Sequence, residues 1–236
     1  MILLIASASI PLILSFDKKV RFYKHWKYIF PSVLLTSALF IFIDIIFTEM
    51  GVWGFNPLYH SGIILAGLPL EEWLFFILIP YASLFIHYVF VSYLPDLQVS
   101  RKYVLLVSGL LITLLVIVII FNTDRIYTLV YSLLAILLLL VSLIIKKGII
   151  NRYLISFPII LVPFLIVNGI LTGTFIVDEV VWYNNDDIIG IRLLTIPIED
   201  IGYTFTLILM NLLLISLFEK IFGKRTEPGF NKLKIG

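Results

Sequence analysis

Long apolar stretches recur along nearly the whole chain, and short polar connections separate them. Each stretch approaches the roughly 20 helical residues that cross the hydrocarbon core of a bilayer. The pattern therefore predicts seven transmembrane helices, of which the first is the shortest. Their approximate bounds are 2–16, 28–50, 70–94, 103–121, 126–145, 154–176 and 196–218. Because little of the chain lies outside them, we expect an all-α, polytopic membrane protein without a separate soluble domain.

The composition agrees with this class, since 61% of the residues are hydrophobic and only 14% are charged. Fifteen of the 17 Lys and Arg residues lie in connections on one side of the predicted topology. This asymmetry predicts a cell-membrane protein with its N-terminus outside and its C-terminus in the cytoplasm. The net charge of +2 then reflects orientation and contact with membrane lipids, and we expect no nucleic-acid partner. The chain contains no Cys, which excludes disulfides and thiolate chemistry.

An internal repeat is found when the chain is aligned with itself at an offset of 128 residues. This offset aligns Phe55 with Tyr183, Gly62 with Gly190 and Pro69 with Pro197. The alignment predicts a first repeat over 1–95, a linking transmembrane helix with its loops over 96–125, a second repeat over 126–218 and a cytoplasmic tail over 219–236. Because four helices separate equivalent points, both three-helix repeats cross the membrane in the same direction, about an axis along the membrane normal.

An acidic pair follows the proline in each repeat, Glu71 and Glu72 in the first and Glu199 and Asp200 in the second. Both pairs begin a helix on the outer side, so we expect a shared cavity near the outer leaflet. Neighbouring residues of a helix point about 100° apart, which leaves open which member of each pair faces inward. An acid in an apolar cavity is favoured in its protonated form and can donate a proton. The alternative is helix capping, since a first-turn carboxylate interacts with the helix dipole by about 0.3 to 1 kcal/mol.

Three further polar residues lie in or beside the predicted apolar helices. Asp44 lies in the second helix, where an ionised side chain at mid-bilayer costs about 2.5 to 3.5 kcal/mol. The repeat places Thr172 opposite Asp44, and Asn168 precedes Thr172 by one turn. Each of the three is a candidate substrate contact, and the alternative for each is a hydrogen bond between helices.

Aromatic residues make up 15% of the chain, and several of them cluster near the acids. Most are typical of a membrane-interface belt or of a helix core. A wall of ring faces beside a proton donor also stabilises a carbocation, by about 0.5 to 2 kcal/mol for each ring. The candidates for such a wall are Trp53, Phe55, Phe75, Phe76, Tyr183 and Tyr203.

The first acidic motif, Pro-Leu-Glu-Glu-Trp-Leu-Phe-Phe from Pro69, and its counterpart from Pro197 resemble the lycopene cyclase domain of small, membrane-integral, heterodimer-type carotenoid cyclases. Here both subunit equivalents are joined in one chain. The resemblance implies that an acyclic end of lycopene is protonated, closes to a ring and loses a proton to give a β-ionone ring, with no net redox change. It also implies that Glu71, Glu72, Glu199 and Asp200 are the acid and base groups, and that the substrate is an apolar carotenoid from the bilayer. The oligomeric state stays open.

Several alternatives remain. Cyclases of C50 carotenoids and carotenoid hydratases belong to the same superfamily and begin with the same protonated intermediate. A polyprenyl transferase is weakly suggested by the Asn-Asn-Asp-Asp run at 184–187, and a transporter by repeated helices with intramembrane acids. We expect no metal, because the three His residues are widely scattered, and no cofactor, because the chain lacks a dinucleotide fingerprint.

Overall fold

Seven α-helices account for most of the computed structural model, which describes residues 1–145 and 148–223. They are α1 (Ile2–Leu14), α2 (Trp26–Met50), α3 (Leu70–Tyr93), α4 (Arg101–Phe121), α5 (Ile126–Ile145), α6 (Ile149–Leu171) and α7 (Glu199–Phe222). Across those residues, six helices, α2 to α7, are long and apolar enough to cross a membrane. Helix α1 has 13 residues and rises only about 20 Å, so the prediction of seven full-length spans is reduced to six. Most of the predicted tail, 224–236, lies outside the described residues.

The predicted bounds of α6 were wrong by about five residues at each end, because local turns override its apolar pattern. The helix begins after Gly148, which has a left-handed backbone with φ of 69°. It ends at Leu171, where Gly173 has φ of 99° and the Thr174 amide donates to the Gly169 carbonyl at 2.7 Å. The apolar residues that follow belong to a loop.

Short β-ribbons at one end of the bundle were not predicted, because two or three residues are too few to show an alternating pattern. Strand β1 (Trp53–Phe55) pairs antiparallel with β4 (Val181–Tyr183). Two hairpins, β2 (Ile64–Leu65) with β3 (Leu68–Pro69) and β5 (Arg192–Leu193) with β6 (Ile196–Pro197), lead into α3 and α7. The fold is therefore mostly helical rather than all-α. We call this end of the bundle the ribbon end.

Helices α3 and α7 form the centre of the bundle and are the most buried of the long helices. Helix α1 packs mainly on α3, and α5 mainly on α7. Helix α2 packs on α7 and α3, while α6 packs on α3 and α7, so the two central helices are surrounded. Helix α4 lies outside against α5 and is the least buried, which leaves its apolar side chains facing outward. The arrangement brings the first turns of α3 and α7 together at the ribbon end.

Candidate active site

Three carboxyl groups meet at the ribbon end in one cavity of about 450 Å³, which we call the acidic cavity. Glu72 comes from the first turn of α3, Asp200 from the first turn of α7 and Asp44 from the last two turns of α2. Six other predicted residues also line it: Trp53, Phe55, Phe75, Asn168, Tyr183 and Tyr203. The second member of each acidic pair thus faces the interior of the bundle.

The first member of each pair points away from the acidic cavity. Its carboxylate accepts hydrogen bonds from the loop that precedes its own helix. Glu71 accepts hydrogen bonds from the Ser61 backbone amide at 2.9 Å and the Ser61 hydroxyl at 3.3 Å. Glu199 accepts from the Ile189 backbone amide at 2.6 Å and from the Thr128 hydroxyl at 2.7 Å. Neither Glu71 nor Glu199 lines the acidic cavity. Their contacts are those of structural anchors.

Asp200 is 2% exposed, and its carboxyl group accepts three side-chain hydrogen bonds. The Tyr127 hydroxyl donates to Oδ1 at 2.5 Å, and the Asn168 amide donates to Oδ2 at 2.6 Å. The Tyr183 hydroxyl also donates to Oδ2, at 3.2 Å. Donors around a buried carboxyl group stabilise its ionised form and fix its orientation. Asp200 is therefore held as an oriented acceptor that faces the cavity.

Asp44 is nearly as buried as Asp200, at 3% exposed, but it has fewer hydrogen-bond partners. Within the two described ranges, its Oδ2 atom makes no hydrogen bond. Asp44 and Glu72 line the same cavity and are near enough to interact electrostatically. A buried carboxyl oxygen without a partner is costly unless the group is neutral or a ligand supplies the missing contact. The two sides of the cavity thus differ: Asp200 is saturated with donors, and Asp44 is not.

Aromatic rings surround these carboxyl groups. The Trp53 ring lies 5.1 Å from that of Tyr127 and 6.0 Å from that of Tyr183, both edge-on. Phe75 lines the cavity, and Phe76 packs behind it with a centroid distance of 5.7 Å. Rings at this spacing exclude water and present electron-rich faces to a cation.

Two of the predicted substrate contacts lie outside the cavity lining. Phe76 is 1% exposed and contacts Phe75, Phe40 and Tyr203, so it supports the wall from behind. Thr172 donates to the Asn168 carbonyl at 2.9 Å and shares a hydrogen bond of 2.8 Å with Thr195. Thr172 thereby stabilises the end of α6, from which the Asn168 side chain reaches Asp200.

Tyr127 is the main site residue that sequence reasoning missed. It lies in the first turn of α5, and the offset of 128 gives it no counterpart in the first half. A tyrosine at the end of an apolar helix is also typical of a membrane-interface belt. Its position in the sequence therefore gives no indication of a role in the site. Phe164, Leu171 and Val181 complete the lining, and as ordinary apolar residues they carry no chemical signal in the sequence.

The Asn-Asn-Asp-Asp run forms a turn that is closed by its own side chains. Asn184 donates to the Asp187 carboxylate at 2.6 Å, and the Asp186 amide donates to the Asn184 side-chain oxygen at 3.2 Å. Across residues 1–145 and 148–223 there is no group of three or more His, Asp or Glu residues placed to hold a metal ion. The run thus has a local structural explanation.

Comparison with known proteins provides one family assignment. A family model described as lycopene cyclase matches residues 1–90 and 124–218. No curated protein and no solved structure matches the chain. The matched stretches contain every carboxyl group of the acidic cavity and both structural anchors, while α4 lies between them. Since the match covers most of the chain, this protein belongs to the lycopene cyclase family.

Proposed function

We propose that this protein converts the acyclic ends of lycopene into β-ionone rings by acid catalysis, without net oxidation or reduction. The observation that carries the proposal is the meeting of Asp44, Glu72 and Asp200 in one aromatic-walled cavity. Family membership supports a carotenoid substrate, and the bundle of long apolar helices supports delivery of that substrate from the bilayer.

The proton donor in this proposal is the pair formed by Asp44 and Glu72. The pair must therefore hold a transferable proton. Burial away from water disfavours charge on a carboxyl group, and a second carboxyl group nearby adds to this effect. Glu72 lines both the acidic cavity and a neighbouring cavity, whereas Glu71 lines the neighbouring cavity and Asp44 lines the acidic cavity. Glu72 is therefore the acid at the junction through which an end group would enter. Glu72 is thus the acid that we assign to the substrate, with Asp44 as its partner.

The reaction conserves atoms and electrons. The proton of Glu72 adds to the terminal double bond of the substrate and leaves a cation on the adjacent carbon. The electrons of a nearby double bond then form the carbon–carbon bond that closes the ring, and the positive charge moves onto a ring carbon. Asp200 accepts a proton from the neighbouring carbon, and that C–H electron pair becomes the new ring double bond. The proton must return to the Asp44 and Glu72 pair before the next turnover.

Asp200 is suited to the second proton transfer although its donors make it a weak base. A carbocation is a far stronger acid than any carboxylic acid, so orientation matters more than basicity in this step. The hydrogen bonds from Tyr127 and Asn168 supply that orientation. Trp53, Phe75, Tyr183 and Tyr203 surround the cation and do not attack it.

We further propose that the two halves are repeats related by an approximate two-fold axis, as the offset of 128 predicts. Gly54 and Trp182 differ by this offset and are paired in the β1–β4 ribbon. The Asn56 amide donates to the Val180 carbonyl and the Asn184 amide donates to the Val52 carbonyl, both at 2.8 Å. This reciprocal pair of bonds supports a shared site on the axis, with one inward-facing acid from each half.

The proposed orientation places the ribbon end on the outer side of the cell membrane. It is supported by the distribution of Lys and Arg: among the residues that the structure describes, Arg125 and Arg192 are the ones that lie in the connections at the ribbon end. Surrounding lipids would then contact α4 and the exposed face of α1.

Expression in cells that accumulate lycopene tests the function. The wild-type chain should yield γ-carotene or β-carotene, whereas Glu72→Gln and Asp200→Asn should leave lycopene unchanged because neither amide can transfer the proton. The adjacent variant Glu199→Gln is the matched control for Asp200→Asn. It should retain cyclisation at a lower protein level, since it weakens a loop anchor by about 1.5 to 3 kcal/mol. Unchanged lycopene with a well-expressed wild-type chain would refute the proposal, and C50 or hydrated products would support the other members of the superfamily.

A further inference from the structure

An apolar groove adjoins the acidic cavity on the side of α1 and α6. Its upper part, about 820 Å³, lies at the ribbon end and includes Leu4 of α1 and Ile170 of α6. Its lower part, about 900 Å³, continues between the same helices over α3 and includes Ser7, Ala82 and Val167. The small side chains at Ser7 and Ala82 leave space that larger residues would fill.

Each part of the groove adjoins the acidic cavity, although the two parts share no lining residue with each other. Five residues line both the upper part and the acidic cavity: Phe55, Glu72, Phe75, Leu171 and Val181. Phe164 lines both the lower part and the acidic cavity. Helix α3 lies beneath both parts and rises about 21 Å from Glu72 to Ile86, which is more than half of the roughly 30 Å hydrocarbon core. The two parts thus follow one another along α3, and the upper part includes the proposed proton donor.

The opposite side of the acidic cavity is filled. Tyr131 of α5 is 2% exposed, and its ring packs against those of Tyr127 at 5.1 Å and Tyr203 at 5.0 Å. Phe40 and Phe47 of α2 complete this cluster, with centroids 5.8 and 6.4 Å from that of Tyr131. The corresponding face of α1 is open, since Ile10 lines the groove and is 65% exposed. Beyond Tyr131, a separate apolar pocket of about 710 Å³ lies between α4, α5 and α7, and it shares no lining residue with the acidic cavity. The pockets beside α1 and α6 do share residues with the acidic cavity, so a long molecule with its end in the cavity has space on that side.

We propose that this groove binds the polyene chain of the carotenoid whose end group lies in the acidic cavity, and that the substrate reaches the acids from the lipid between α1 and α6. The inference rests on the proposed function for its occupant. The lining is mostly apolar, and its histidine and acidic residues, His60, Glu71 and Glu72, all lie at the ribbon end. Recognition of the polyene therefore depends on burial of hydrocarbon and on shape.

A pair of tryptophan substitutions on α6 tests the groove by blocking it. Val167 lines the groove, whereas Val162 on the same helix does not line it and is 61% exposed. Val167→Trp fills space that the polyene would occupy, so the cyclised product should fall by about tenfold or more at an equal protein level. Val162→Trp should stay within about twofold of the wild type. Equal activity of the two variants at equal protein levels would overturn the proposal.

Protection of an introduced thiol from labelling tests whether lycopene occupies the groove, and it requires no turnover. The chain is suitable for this experiment because it contains no native Cys. Ser7 lines the groove and Ser9 does not, although both donate to a carbonyl of α1. Ser7→Cys and Ser9→Cys are made in the Asp200→Asn background, placed in vesicles with or without lycopene, and treated with a membrane-permeant maleimide.

Lycopene should slow labelling at position 7 and leave position 9 unchanged. The same labelling rate at position 7 with and without lycopene would refute the groove, even if the wild-type chain cyclises lycopene. Protection together with an inactive wild-type chain would support the groove and refute the proposed reaction.

Discussion

Replacement of Tyr127 by phenylalanine removes the 2.5 Å hydrogen bond to Asp200 and leaves the aromatic ring in place. A hydrogen bond to a charged group contributes about 1.5 to 3 kcal/mol, and each 1.36 kcal/mol is about a tenfold change in an equilibrium. Transfer of the ring proton to Asp200 should therefore slow by about 10- to 150-fold, because the carboxylate loses a donor that holds its charge and its orientation. Cyclisation should slow to a similar extent at an equal protein level.

The assay measures initial rates of cyclisation in lycopene-containing vesicles, at equal amounts of each variant. In Tyr127→Phe the rate should fall by about 10- to 150-fold. Tyr131→Phe is the matched control, because Tyr131 lies one turn away on α5 and its buried hydroxyl has no hydrogen-bond partner among the described residues. An unchanged rate for Tyr127→Phe, or an equal loss for Tyr131→Phe, would refute the assignment of Asp200 as the base.

Two further predictions concern the ribbon and the order of products. A Cβ atom at position 54 would lie 2.6 Å from Cε2 of Trp182, which is too close for an unstrained contact. Gly54→Ala should therefore destabilise the protein by about 1 to 3 kcal/mol, measured as thermal unfolding in detergent. Adding Trp182→Ala should relieve this loss of stability. Under the proposed function the single acidic cavity would cyclise the two ends one after the other, so monocyclic product should accumulate before bicyclic product in a time course. Bicyclic product without a free monocyclic intermediate would contradict this.

The helices and the family could be predicted from sequence, because both depend on local patterns. A stretch of about 20 apolar residues can be recognised as a membrane helix without knowing which helices it packs against. Accordingly, the bounds of α2, α3 and α5 agree closely with the prediction. The Pro-Leu-Glu-Glu-Trp motif from Pro69 gave the same family that the comparison identifies. The apolar pattern predicted the wrong bounds for α6, because turns at Gly148 and Gly173 determine where this helix begins and ends.

The orientation of each acidic pair was decided only by tertiary structure. Glu71 and Glu72 are adjacent in one helical turn, and the rotation of α3 against α2 and α6 determines that Glu72 faces the acidic cavity. The hydrogen bond from Tyr127 to Asp200 joins residues 73 positions apart and exists only because α5 packs on α7. Sequence alone thus determined which segments enter the membrane and which chemical groups they carry. Packing between helices determined which of those groups meet, because helix rotation and long-range contacts are not encoded in any local pattern.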